Sequence, residues 1–93
     1  MEDNWIYFVI AFTKQGECIH LGAYKLLDNA KTRCYLEAMD WRRESLQFIF
    51  VQSFPAYFDI NIGEWKPTEE GYSQMCEYDT DFILDVEEEK KND

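Results

Sequence analysis

The chain has 93 residues, 46% of them hydrophobic and 17% aromatic, and its nineteen Asp and Glu against nine Lys and Arg give a formal charge of −10. That length accommodates one domain, and that much apolar material excludes general disorder. The sign of the charge disfavours direct binding to nucleic acid or to acidic membranes, and it favours basic protein partners.

The start of the chain, Met1-Glu2-Asp3-Asn4, lacks the basic stretch of a signal peptide. The longest apolar run, residues 5–12, has a strand's length and not the roughly twenty residues of a membrane span. A cytoplasmic protein is the expectation. Residues 5–12 are β-branched and aromatic on both alternating faces, which predicts a central strand covered on each side. Lys14-Gln15-Gly16-Glu17 is a turn signal, and residues 18–24 follow as the second strand of an antiparallel hairpin.

Asp28 offers an N-cap, and residues 31–43 have helical composition. Ala30, Cys34, Ala38 and Trp41 form one apolar stripe, widened by Leu27 and Tyr35. Arg33 and Glu37 stand four residues apart on an expected outer face, as do Asp40 and Glu44. Residues 47–54 predict a third strand. Pro55 should interrupt it, because proline donates nothing to a ladder. Residues 57–63 then alternate as a fourth strand, with Phe58, Ile60 and Ile62 on one side. Trp65-Lys66-Pro67 opens a less regular region, Thr68-Glu69-Glu70 can start a short helix, and residues 81–86 predict a last strand.

The order predicts an α+β domain over residues 1–86, a mostly antiparallel sheet in ββαββ(α)β order with one main amphipathic helix on one face. Residues 87–93 read as a charged, frayed tail. One helix covers one face of the first strand. The other face needs cover from the C-terminal segment or from a second copy of the chain, and the count of sixteen aromatic residues adds to that need. A homodimer is therefore expected, with residues 57–62 as a possible edge for pairing.

Three cysteines, Cys18, Cys34 and Cys76, show no CxxC spacing, so they read as free thiols and not as a disulfide scaffold or zinc site. His20 lies two residues from Cys18 on a predicted strand. Such a pair shares a face without facing each other, which does not make a nucleophile and base. Asp79, Asp81 and Asp85 superficially suggest a calcium loop, but the sixth position lacks glycine and the twelfth is Lys90. No phosphate loop, HExxH or GxSxG is present. These readings predict no catalytic residue, no metal and no cofactor, and hence a binding protein rather than an enzyme.

The charge is not spread evenly. From Glu64 to Asp93 there are eleven acidic residues and three Lys, a net of −8, whereas the first sixty-three residues carry eight acids and six bases, a net of −2. Duplex DNA carries one phosphate charge per roughly 1.7 Å of axis, and carboxylates along a protein edge can occupy the same basic groove. The candidate partner-binding residues are Glu69, Glu70, Glu77, Asp79, Asp81 and Asp85. The competing reading is an adaptor or small subunit that docks through aromatics, with Trp5, Tyr24, Trp41, Tyr57 and Trp65 as candidates and charge serving solubility.

Residues 7–12, His20-Leu21-Gly22-Ala23-Tyr24 and Asp28-Asn29-Ala30-Lys31 together resemble a pattern in short phage-borne α+β proteins, in which a strand hairpin ends in a Gly-aromatic step and a helix follows. The resemblance spans residues 5–54 and implies no functional residue. The acidic third is similar in charge, not in motif, to phage inhibitors that mimic DNA and block restriction enzymes, CRISPR effectors or nucleoid proteins. That similarity implies an anti-defence protein acting in the host cytoplasm on a basic, nucleic-acid-binding host protein.

Overall fold

The computed structural model describes residues 4–40, 45–70 and 80–91. They form strands β1 (Asn4–Thr13) and β2 (Cys18–Tyr24), helix α1 (Leu27–Met39), strands β3 (Leu46–Asp59), β4 (Glu64–Pro67) and β5 (Phe82–Asp85), and helix α2 (Val86–Lys91). The fold is α+β, an antiparallel sheet with one main helix. The strands run β2-β1-β3-β4, and β5 also pairs with β3.

The β1–β2 hairpin closes as its residues dictate. Gly16 takes φ +88°, the left-handed conformation such a turn needs. The buried Thr13 hydroxyl accepts the Glu17 N–H at 3.0 Å. Between Val9 and Ile10 the register shifts by one on the β2 side, leaving Leu21 as an extra residue. This bulge leaves Cys18 and His20 across from Phe12 and Ile10, and turns Leu21 toward the helix-side core.

Helix α1 begins earlier than composition suggests. Leu26 occupies the N-cap position in an extended conformation and makes no side-chain cap, so Asp28 is not the cap. It sits in the first turn, where a carboxylate suits the helix dipole, and its carbonyl accepts the Thr32 hydroxyl at 2.9 Å. An early start lets Leu27 pack on the core. The helix ends at Met39, and Asp40 is extended; Trp41, Arg42, Arg43 and Glu44 lie outside the described residues. Ala30, Cys34 and Ala38 are fully buried, so the helix lies close to the sheet on small side chains. Glu37 is buried with them, contrary to the expected outer face, and its carboxylate takes the Arg33 Nε–H at 2.8 Å. Leu36 and Met39 point the other way, each more than 60% exposed.

Pro55 does not divide the chain into two strands. β3 runs unbroken through it for fourteen residues, with Pro55 opposite Trp5. The N–H and C=O of one strand residue point to the same side of the ladder. The Pro55 carbonyl accepts from Thr68 N–H at 2.9 Å, on the side away from β1. The missing N–H therefore falls on that same side, just past the end of β4, and the β1 ladder loses nothing. The alternation of residues 57–63 ends at Asp59. Residues 60–63 turn on Gly63, at φ +69°, and residues 64–67 form β4 where an irregular region was expected.

Two cores result. On the helix side Val9, Ala11, Ile49, Val51, Leu46, Leu84 and Val86 pack with Ala30, Cys34 and Ala38. On the opposite side Ile6, Phe8, Ile10, Phe54 and Ala56 pack with Ala23, Phe50 and Trp65. Each large side chain so buried contributes about 1.5–3 kcal/mol. The second face of β1 is thus covered in part by curling of the sheet itself, not only by a tail or a second chain. β2 and β4 stand at opposite margins of the main strand order, yet the Lys25 ammonium, one residue past β2, lies 5.8 Å from the Trp65 ring centroid. The last strand is shorter than expected. After Asp85 the chain becomes helical, with Val86 only 1% exposed, so the expected tail opens as α2.

Candidate functional site

Two short strands share one edge of β3. β4 pairs with residues 56–59 and β5 with residues 48–51, and β1 occupies the other edge. Thr68 extends the β4 contacts by bonding to the Pro55 carbonyl, and Asp81 opens those of β5, its N–H donating to the Val51 carbonyl at 2.8 Å. β4 and β5 therefore occupy successive stretches of the same edge of β3.

This connectivity decides where the acidic residues fall. Glu64 pairs opposite Asp59, and Asp85 opposite Phe48. Eleven β3 positions separate those two partners, about 36 Å at 3.3 Å per residue. Glu64, Glu69, Glu70, Asp81, Glu87 and Glu88 are exposed and Asp85 is half-buried. Of these, Glu64, Asp81 and Asp85 stand on the β3 edge itself, while Glu69 and Glu70 follow β4 and Glu87 and Glu88 lie in α2. Glu77 and Asp79 lie outside the described residues. Lys66 is the cation on this edge within β4, 3.9 Å from Asp59, and Lys14 reaches Glu87 at 3.2 Å. Asp85 has a structural task as well. Its Oδ1 accepts the N–H groups of Glu87 and Glu88 at 3.0 and 3.2 Å, capping α2.

The candidate aromatics separate into two groups. Trp5 and Tyr57 are about half exposed near the β3–β4 end of the sheet. Tyr24 and Trp65 are engaged internally. The Tyr24 hydroxyl accepts from Arg33 Nη1 at 3.1 Å, and Trp65 meets Phe58 edge-on at 5.5 Å beneath Lys25. Those hydrogen bonds to Tyr24 and Glu37 hold the Arg33 guanidinium above its usual pKa, against partial desolvation. Trp41 lies outside the described residues.

Two clefts of about 300 Å³ were not foreseen. One opens where β2 and β4 approach, lined by His20, Gly22, Gly63, Glu64 and Trp65. The His20 ring stands 5.3 Å from Phe8, and its desolvation there lowers the pKa while the Glu64 carboxylate opposes the shift. The other lies on the face away from α1, lined by Phe12, Cys18, Phe48, Phe50, Gln52, Thr80 and Ile83. Periodicity alone hides both, because each joins residues from separate strands.

Among the described residues no group of three or more His, Cys, Asp or Glu is placed to hold a metal ion, and no helix is long and apolar enough to cross a membrane. No known family, curated protein or solved structure matches this chain.

Proposed function

We propose that the chain is a non-enzymatic acidic decoy, of the kind encoded by phages or mobile elements against host defences. It binds a basic, nucleic-acid-binding surface on a host protein in the cytoplasm. The observation that supports this reading is that β4 and β5 share one edge of β3 and set Glu64 and Asp85 about 36 Å apart along it, with the exposed Asp81 between them. One turn of duplex DNA is about as long. An anionic ridge of that length on a folded scaffold matches a groove built for a phosphate backbone, and charge complementarity would set its association rate.

The test is capture of partners from host lysate on the immobilised protein at low and high salt, with duplex DNA as competitor. Partners that bind nucleic acid, and that leave the protein both at high salt and when duplex DNA is added, support the decoy. Recovery of no such protein at low salt overturns it. The adaptor reading retains one specific support, the exposure of Trp5 and Tyr57 at one end of the sheet. Replacing Glu69 and Glu70 by Gln, and Asp81 and Asp85 by Asn, separates the two: affinity collapses for a decoy and survives for an adaptor.

A further inference from the structure

We infer that the cleft between β2 and β4 is a socket for one arginine side chain supplied by a partner protein, the guanidinium held by the Glu64 carboxylate and stacked on Trp65. The socket deepens the decoy reading and rests on it, because it names a group on the partner and the place on this chain that receives it.

The cleft encloses about 300 Å³, at the small end of the range for ligand pockets, which suits a single side chain. Its two walls are the margins of the sheet. β2 and β4 each pair on one side alone among the described strands. Leu21 packs into the helix-side core and Ala23 into the opposite one, yet both line the cleft. What they share there is the outward backbone edge of β2, whose carbonyls can accept guanidinium N–H groups. Gly63, Glu64 and Trp65 form the facing wall. Every residue lining the cleft, and each residue next to one of them in the chain, is among the described residues.

The charge of the cleft selects a cation. Glu64 is the one carboxylate lining it, and that carboxylate makes no hydrogen bond or ion pair with another described residue. His20 does not neutralise it at neutral pH, because desolvation beside Phe8 lowers the pKa of the ring.

The cleft already draws a cation from its own chain. The Lys25 ammonium lies 5.8 Å from the Trp65 ring centroid, within the reach of a cation–π contact. Lys25 is exposed and can give way to an incoming group. A lysine is a point charge, whereas a planar guanidinium stacks on an indole and also forks onto a carboxylate, so arginine uses both features at once. Proteins that hold DNA phosphates do so with Arg and Lys, so a partner of the proposed kind presents such side chains.

The test is an NMR titration of the full chain with N-acetyl-arginine methylamide, read at the backbone and indole N–H groups. The blocked citrulline analogue, which lacks the charge, is the comparison. Saturable shifts at the Trp65 indole and at the Gly22 and Gly63 amides are expected for the arginine compound, with a dissociation constant on the order of millimolar. Glu64→Gln should weaken binding about tenfold, and an otherwise unchanged spectrum verifies its fold. Glu17→Gln removes the same charge at the exposed β1–β2 turn and should leave binding unchanged. Lys25→Gln should tighten binding severalfold, since the resident cation is gone. Absence of saturable shifts, equal binding of the citrulline compound, or equal losses in Glu64→Gln and Glu17→Gln would each overturn the socket. The two readings fail separately: a lysate capture without nucleic-acid-binding proteins sinks the decoy, whereas the socket stands or falls on the titration. A partner captured equally well by wild type and by Glu64→Gln also overturns the socket and leaves the decoy standing.

Discussion

Gly22 lies directly against the ring of Tyr24: a Cβ added at Gly22 would stand 3.1 Å from Tyr24 Cε2 and 3.3 Å from the hydroxyl oxygen. That hydroxyl accepts from Arg33 Nη1, and Arg33 Nε donates to Glu37 on the buried side of α1. A missing side chain on β2 thus makes room for a ring that ties the strand to the helix. Gly22→Ala should cost about 1–2 kcal/mol by crowding that ring, read as a lower urea midpoint. In a Tyr24→Ala background the same change should be neutral or mildly stabilising, since glycine in a strand carries an entropic penalty. An equal loss in both backgrounds would show that the ring is not the cause.

Much of this architecture is legible in the residues. The two-sided apolar pattern of residues 5–12 announces a strand buried on both faces, and Ala30, Cys34 and Ala38 mark the helix face that meets it. The curling of the sheet is not legible, because it joins Lys25 to Trp65 across forty residues of chain and leaves no periodic trace. Pro55 misleads for a local reason: proline's missing donor matters only on the side where a ladder needs it, and side is a tertiary fact. Glu37 misleads in the same way, since a charged residue at an outer heptad-like position is tolerated inward once Arg33 reaches it. For the candidate site, composition reveals that charge is concentrated after residue 63. That β4 and β5 bring Glu64 and Asp85 to one edge depends on both strands choosing the same side of β3.

The cysteines should differ sharply in reactivity. Cys34 is fully buried, and its burial pushes the thiol pKa up to about 11, whereas Cys18 is exposed. The thiolate is the nucleophile, so iodoacetamide at mildly alkaline pH should label Cys18 rapidly and spare Cys34 until denaturant is added. Peptide mass spectrometry reads the two sites separately. Rapid native labelling at Cys34 would mean that α1 lifts from the sheet far more often than this packing allows.

His20 should give a small pH dependence to stability. Its folded pKa is lowered, first by desolvation beside Phe8, with Glu64 acting the other way. A group whose folded pKa lies below its unfolded value contributes stability that is fully present above the unfolded value of about 6.5, and that is lost as pH falls through the folded pKa. The ring remains partly in water, so the step is modest. His20→Gln should flatten the urea midpoint between neutral pH and the carboxylate range. A step that survives the substitution would assign it to other groups.

Asp85 carries two arguments at once, and one pair of substitutions divides them. Its carboxylate caps α2 through the Glu87 and Glu88 N–H groups, and it also belongs to the acidic edge. Asp85→Asn keeps an acceptor oxygen for the cap and removes the charge, so stability should change by only a few tenths of a kcal/mol. Asp85→Ala removes both and should cost about 1 kcal/mol. The cost is structural because α2 begins at Val86, a side chain buried in the helix-side core, so fraying there exposes core surface. For a decoy, partner affinity follows charge: both variants should lose it to the same degree, and the salt dependence of binding should become shallower in each. Loss in Asp85→Ala with full affinity in Asp85→Asn would reassign Asp85 to holding α2 in place. The electrostatic reading of the edge would then rest on Glu69, Glu70 and Asp81.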